Sequence, residues 1–239
     1  MTPTAPTPDP AALQRALAAG QDRLRTLLPA LTEEAVRAPS PLPGWSRGHV
    51  LSHLEGVGLA LARQARYARR GALIEVYDGG RPARDAAIEA GHRRGAPQFT
   101  TALAAAMDEV EASWAALGPD DWTRPVRYRD GVLLDAGLAW WRELEIHTVD
   151  LDLGPAFADW SPEFCAHVLD FLAVRIPQGV RLTLSAPESG TDGEPVFAHG
   201  SGSPVKVTGT PQDLAAWLAG RHPSAPLAGD PLPQLGPWP

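Results

Sequence analysis

The 239-residue sequence has one cysteine, two methionines and no long apolar run. With Cys165 alone, no intramolecular disulfide can form, which fits a reducing compartment. Because Cys165 lies on an apolar helical face, we expect a packed thiol rather than a nucleophile. No stretch approaches the roughly 20 apolar residues of a membrane-spanning helix, and the first residues lack the basic and apolar regions of a signal peptide. We therefore expect a cytoplasmic protein with no membrane partner.

The sequence also lacks an excess of positive charge, since 28 acidic residues outnumber 21 basic ones. A net charge of −7 argues against nucleic acid as the main partner, because nucleic-acid binding needs a basic face. Individual arginines could still bind small anions. With 44% hydrophobic and 21% charged residues, the chain has enough apolar material for a packed core.

The first two thirds of the chain have the pattern of a helical bundle. Between the second and third helices, residues 72–98 are too long for a simple bundle connection, so they form a functional loop or a surface excursion with a short helix at Arg84–Gly91. Four long helices with one such crossover predict a four-helix bundle. The helices are expected at residues 11–31, 46–71 after a Ser46 N-cap, 99–117 and 134–153.

The pattern changes after "GPAFADWSP", and strand-like alternation appears between two further helices. We expect a small α+β domain with a short antiparallel sheet, so that the fold class is α+β with two domains, residues 1–158 and 159–239. The elements are a helix over residues 161–176, strands at 180–187, 194–200 and 203–210, and a last helix capped by Thr210.

The segment "WWRELEIHTVD", residues 140–150, places titratable side chains on a helix that should be packed. On a 3.6-residue period, Glu143 and His147 stack one turn apart on the apolar face, whereas Arg142 and Glu145 point elsewhere. Burying a carboxylate without a matching charge costs several kcal/mol. The pattern therefore predicts that Glu143 and His147 have a cationic partner or bind each other.

A second helix offers candidate partners, because "HVLSH" puts His49 and His53 four residues apart on one face. A bundle could bring these imidazoles to Glu143 and His147, and two histidines with one carboxylate suit a catalytic zinc site better than nickel or iron. No HExxH or CxxC motif supports the metal. The alternative is that Glu143 and His147 form a hydrogen-bonded pair and that His49 caps its helix.

Four segments carry a family resemblance. "GWSRGHVLSH" resembles the Trp-Thr/Ser-x-x-His-Leu/Val-x-x-His signature of mycothiol-dependent maleylpyruvate isomerases, and "RELEIHTVDLDLG" resembles their Arg-Glu-x-x-Ile-His-x-Val-Asp-Leu-Gly segment. The likeness continues through "YDGGRPARDAAIEAG" and "GTPQDLAAWLAGR" and so covers nearly the whole chain. It implies a DinB-like metal-binding bundle followed by a small C-terminal domain.

The resemblance implies specific roles for residues. His53, Glu143 and His147 correspond to the ligands of one zinc ion per chain, and His49 to a supporting residue. Arg84 and Arg221 correspond to active-site arginines that bind substrate carboxylates, with Arg84 also catalytic. A guanidinium fork matches a carboxylate well.

The activity that the resemblance implies is a thiol-dependent cis–trans isomerisation. A low-molecular-weight thiol, mycothiol or a similar compound, would bind as thiolate at the open zinc position, because the metal stabilises deprotonated sulfur. It would add to the cis double bond of an unsaturated diacid such as maleylpyruvate, and rotation with thiol elimination would give fumarylpyruvate. The chain would act as a monomer or a homodimer.

Two other functions fit the same residues. One is a mycothiol- or bacillithiol-type S-transferase, or a metal-dependent hydrolase, in which the metal acts on another substrate. The other is a non-enzymatic binding module without stoichiometric metal. Fold likeness alone does not choose among them.

Overall fold

A computed structural model describes residues 8–186 and 195–239. Within these ranges the chain divides into two compact units, Asp9–Gly154 and Pro155–Pro239. The first unit is helical and the second carries a sheet, which confirms the α+β class. The domain limits 1–158 and 159–239 stay a prediction. Residues 1–7 of the first predicted domain, and Pro187 and Glu194 of two predicted strands, lie outside the described residues.

The first unit is the predicted four-helix bundle. Each long helix packs against two others in the order α1, α5, α3, α6 and back to α1. The crossover contains a helix, α4, that is longer than the predicted Arg84–Gly91 segment. The helices are α1 Pro10–Leu27, α2 Glu33–Arg37, α3 Arg47–Ala68, α4 Gly80–Gly91, α5 Ala96–Ala115 and α6 Leu133–Asp150.

Helix α6 is buried on more than the one face that its sequence pattern indicates. Arg142 and Glu145, expected to point away from the apolar face, are only 6% and 8% exposed. The reason is that α6 packs against both α1 and α3. Glu145 forms an ion pair with Arg23 of α1, while burial raises the pKa of the Glu145 carboxyl.

A close backbone contact positions α4 against the start of α3. A Cβ atom on Gly48 would lie 2.3 Å from the backbone oxygen of His92, and one on Gly91 would lie 2.8 Å from Ser52 Oγ. Only glycine permits this approach. The contact brings the last turn of α4, and with it His92, next to the first turn of α3.

The second unit is built on a four-stranded sheet with the order β2-β1-β3-β4. The predicted antiparallel sheet is wrong for the central pair, since β1 and β3 run parallel and the sheet is mixed. The elements are α7 Pro162–Phe171, β1 Val180–Ser185, β2 Pro195–Gly200, β3 Ser203–Thr208, α8 Pro211–Leu218 and β4 Ala228–Gly229.

The connection from β2 to β3 explains the parallel pair. Gly200 and Gly202 have φ of 86° and 112°, and a Cβ on Gly202 would lie 2.3 Å from the backbone oxygen of Gly179. These glycines let the chain cross the end of β1, where Ser203 N donates to Gly179 O at 2.8 Å. β3 therefore pairs on the opposite side of β1 from β2.

Three smaller expectations concern α7, α8 and the membrane. Cys165 is buried in α7, as expected for a packed thiol. Thr210 caps α8, with its Oγ1 accepting from Asp213 N at 3.1 Å. None of the helices in the described parts of the chain combines the length and the apolar character that crossing a membrane requires.

We predict that Gly48→Ala destabilises the protein, because the added methyl group meets a backbone carbonyl that cannot rotate away. Overpacking of this kind costs about 1–3 kcal/mol, which thermal denaturation would detect. Gly56→Ala is the matched control on the same helix, since nothing lies within 4 Å of its added Cβ. The control should be neutral or stabilising by up to about 1 kcal/mol, because alanine favours a helix. Equal melting temperatures for the two variants would contradict the close contact.

Candidate metal centre

Two helices of the bundle bring three potential metal ligands together. His53 comes from α3, and Glu143 and His147 come from successive turns of α6. One ligand atom from each residue lies within 4.8 Å of the others. Glu143 Oε2 is 2.8 Å from His53 Nε2 and 3.2 Å from His147 Nε2. The three residues predicted as ligands from the family resemblance are thus the three that converge.

Glu143 is the centre of this cluster. Burial alone would raise the pKa of its carboxyl, but hydrogen bonds from His147 and His53 outweigh it and hold the pKa well below its usual range. The side chain is still 31% exposed, whereas that of His53 is 3% exposed. The ionised carboxylate is therefore partly open to solvent beside the two imidazoles.

His147 is oriented by a residue that the sequence reasoning missed. Its Nδ1 donates to Asp150 Oδ2 at 2.8 Å, and Asp150 is buried. Burial would lower the pKa of His147, but the hydrogen bonds to Asp150 and Glu143 raise it. A carboxylate behind a histidine keeps the proton on Nδ1 and leaves Nε2 to face a metal. The i,i+3 spacing of His147 and Asp150 was the available signal.

His53 is held differently, by Arg84 of α4. Arg84 Nη2 lies 3.1 Å from His53 Nδ1, and because a guanidinium only donates, Nδ1 must be the acceptor. The proton of neutral His53 is then on Nε2, where it is donated to Glu143. Burial lowers the pKa of His53, with partial compensation from Glu143. Arg84 also contacts Asp85 at 2.7 Å.

His49, which spacing alone also offered as a ligand, lies outside this cluster. Its Nδ1 accepts a hydrogen bond from the backbone N–H of Ser46 at 3.0 Å. This contact closes the first turn of α3, so His49 caps its own helix. The ring of Trp45 packs against both histidines, with its centroid 5.9 Å from that of His49 and 5.7 Å from that of His53.

Tyr77 is another residue near the cluster that the sequence reasoning did not single out. It is half-buried beside Arg84 and Glu143, and desolvation raises the pKa of its hydroxyl, with Arg84 acting in the opposite direction. Its position in the crossover, ahead of α4, gave no periodic signal.

Arg221 belongs to the second unit, beyond the end of α8. Its Nη1 donates to the backbone oxygen of Ala219 at 2.7 Å. Its guanidinium lies 5.8 Å from the centroid of the Trp238 ring, as does that of Arg175. Trp238 thus packs the C-terminal segment onto this unit, while the substrate role of Arg221 stays a prediction.

The helical bundle brings two imidazoles and a carboxylate together, and a small α+β unit follows it. These features define a class of proteins in which a bundle that can bind a metal precedes a small α+β unit. Comparison of the sequence with models of protein families identifies the family. The model of the mycothiol maleylpyruvate isomerase N-terminal domain matches residues 17–152, and that of the corresponding C-terminal domain matches residues 159–236. The chain belongs to this family.

Solved structures support the same fold. A crystal structure of a mycothiol-dependent maleylpyruvate isomerase superposes with a TM-score of 0.83 over 99% of this chain and 100% of that one, at 17% identity. A histidine-to-alanine variant of a mycothiol-dependent maleylpyruvate isomerase gives the same values. Comparison with curated proteins found no significant match.

We predict that in metal-free protein the imidazole of His147 titrates above its usual range and that Asp150→Asn lowers this pKa, because the variant removes the charge that favours the imidazolium. A pH titration of the histidine ring resonances by NMR, after treatment with a chelator, measures it. Asp152→Asn is the control, since Asp152 pairs with Arg47 instead. An unchanged His147 titration in Asp150→Asn would contradict the assigned role.

Proposed function

We propose that the protein is a zinc- and thiol-dependent cis–trans isomerase of the maleylpyruvate type, with His53, Glu143 and His147 as the zinc ligands. The observation that carries the proposal is the convergence of these three ligand atoms within 4.8 Å. It occurs in a chain that both domain models of the family match. The proposed partners are an unsaturated diacid and a low-molecular-weight thiol such as mycothiol.

The chemistry of the donor set fits one zinc ion per chain. Catalytic zinc sites take three protein ligands from histidine and carboxylate side chains and keep a fourth position open. Glu143 is ionised, as a ligand must be. His147 already has its proton on Nδ1, facing Asp150. A carboxylate with pKa well below its usual value, between two imidazoles, also supplies the charge that a divalent cation matches.

Zinc bound at these residues would stabilise the thiolate form of the cosubstrate. In the reaction that we propose, the sulfur forms a bond to one carbon of the cis double bond, and the electron pair moves to the conjugated carbonyl. Rotation about the resulting single bond and loss of the thiolate restore the double bond in the trans geometry. The thiol is regenerated, so the net change is isomerisation alone.

Arg84 would hold a carboxylate of the substrate, as would Arg221 from the second unit. Metal binding and the hydrogen bond between Arg84 and His53 exclude each other. A metal on His53 Nε2 requires the proton on Nδ1, and Nδ1–H cannot accept from Arg84. With a metal at these residues, Arg84 Nη2 would be released from His53 for a substrate carboxylate, while Nη1 would keep its contact with Asp85.

The test is conversion of maleylpyruvate to fumarylpyruvate by zinc-loaded protein with and without mycothiol, together with zinc content per chain. We expect His147→Ala to lose both the zinc and the activity, and His167→Ala, at a histidine outside the cluster, to keep both. Stoichiometric zinc without isomerisation would instead favour an S-transferase or a hydrolase. Absence of zinc from the wild-type protein would favour the binding module.

We predict opposite effects of Arg84→Gln on two measurements. The kcat/KM for maleylpyruvate should fall about 10- to 100-fold, because a charged hydrogen bond contributes about 1.5–3 kcal/mol. The zinc affinity should rise about fivefold, because a competing donor worth about 1 kcal/mol is removed from His53. Competition with a chelating dye measures the affinity.

Arg81→Gln is the control for Arg84→Gln, since Arg81 is an exposed arginine of the same helix. It should change neither quantity. A lower zinc affinity in Arg84→Gln would show that Arg84 supports the metal site rather than competing with it.

A further inference from the structure

A cleft of about 530 Å³ lies beside the first turn of α3, within the bundle unit. Its walls come from the loop of residues 39–45, from the end of α2 and from the turn that follows α4. Both apolar and polar side chains line it, among them Leu42, Trp45, His49, Arg37 and Arg93.

The loop that forms one wall is fixed in shape. Pro39, Pro41 and Pro43 restrict its φ angles, and Gly44 adopts φ of 79°. Ser40 closes the loop, since its N–H and its Oγ both donate to the backbone oxygen of Trp45 at 2.9 Å. A loop restrained in this way keeps the cleft open, so a ligand does not have to order it.

Inside the cleft, His49 and His92 stack with ring centroids 3.7 Å apart, and Glu89 lies close enough to complete a second potential metal cluster. The hydrogen bonds oppose a metal there. Ser46 N–H donates to His49 Nδ1, which leaves a proton, not a lone pair, on Nε2. Arg93 Nε donates to His92 Nε2 at 3.3 Å. Neither Nε2 lone pair is available as these rings stand.

Because Ser46 N–H donates to His49 Nδ1, the proton of His49 is on Nε2, and this N–H can donate to a ligand. His49 is 8% exposed, and its Nε2 lies 3.7 Å from Glu89 Oε1, beyond hydrogen-bond distance. Burial lowers the pKa of His92, so this second ring stays neutral. Arg37 is already paired with Glu33 at 3.4 Å. The lining residues thus offer N–H donors from His49, Arg37 and Arg93, so the cleft suits a ligand rich in hydrogen-bond acceptors.

A ligand for this cleft must accept hydrogen bonds and also present flat apolar faces. The N–H donors are His49 and the arginines at the rim, and the apolar surfaces are the ring of Trp45, the prolines and Leu42. Sugars and cyclic polyols have this character, with hydroxyl groups on the edge of the ring and C–H groups on its faces. Pockets that combine apolar walls with a few directed polar groups fix ligand orientation.

The position of Trp45 connects the cleft to the metal centre, because its ring contacts both His49 and His53. We propose that the cleft binds the hydroxylated, sulfur-free part of the thiol cosubstrate and so delivers its sulfur past Trp45 to the cluster of His53, Glu143 and His147. This inference rests on the proposed function. Mycothiol has the required form, a cysteine thiol attached to glucosaminyl-inositol.

Isothermal titration calorimetry with N-acetylglucosaminyl-inositol, which has no sulfur and keeps the amide nitrogen of mycothiol, tests the cleft without any catalysis. We expect wild-type protein to bind it and Leu42→Trp, in which a larger side chain fills the cleft, to bind at least tenfold more weakly. Arg93→Ala should show a smaller loss. Arg15→Ala, an exposed arginine of α1, is the control and should bind like wild type. Equal binding by Leu42→Trp and wild type, or no binding by wild type, would overturn the inference.

Kinetics separate this inference from the proposed function. In Leu42→Trp the KM for mycothiol should rise at least tenfold, while kcat/KM with N-acetylcysteine, which lacks the sugar, stays unchanged. An equal loss with both thiols would overturn the inference, because the variant would then act on the metal centre. If wild type isomerises nothing, the proposed function fails, and calorimetry still decides whether the cleft binds the sugar.

A metal in the cleft is the remaining outcome to be tested. His147→Ala protein, which lacks the proposed zinc ligand set, should bind no stoichiometric zinc. Zinc that is retained by this variant and lost on further His92→Ala substitution would place a metal between His49 and His92 and overturn the assignment to a sugar.

Discussion

The placement of one carboxylate, that of Glu143, between imidazoles from two helices is the interaction on which the site depends. Desolvating such a group costs several kcal/mol unless other charges match it. His53 and His147 supply hydrogen bonds, and a divalent cation would supply charge. One turn away from these ligands, the ring of Trp140 on α6 packs against Gly58 on α3. A Cβ atom on Gly58 would lie 3.0 Å from that ring. Packing of an apolar residue thus sets the distance between ligands.

Around this carboxylate the bundle gives each histidine a different partner. Asp150 holds the His147 proton on Nδ1, whereas Arg84 occupies His53 Nδ1 as a donor. To bind a metal through Nε2, His147 would only have to lose the proton on that nitrogen, whereas His53 would have to move its proton from Nε2 to Nδ1. His49, one turn earlier on α3, closes the end of the helix instead. Three imidazoles with similar sequence surroundings thus acquire three functions through the hydrogen bond at Nδ1.

Much of the fold and of the candidate site could be predicted from local sequence patterns, because these patterns reflect which residues share a face of one helix or strand. The four long helices follow from their periodicity and caps, and Glu143 and His147 from i,i+4 spacing. The choice of His53 over His49 depended on family resemblance, because both share a helix face. The backbone contact at Gly48, which places α4, leaves no periodic signal. The parallel pairing of β1 and β3 depends on two glycines that permit a crossing, and a strand pattern does not encode this.

The most direct test of the account is X-ray absorption spectroscopy at the zinc edge, on zinc-loaded protein before and after addition of mycothiol. We predict two imidazole ligands with nitrogen and oxygen neighbours at about 2.0–2.2 Å, and one sulfur neighbour at about 2.3 Å only after the thiol is added. A single imidazole, or a coordination sphere that mycothiol leaves unchanged, would contradict a His53, Glu143 and His147 centre that binds the thiol.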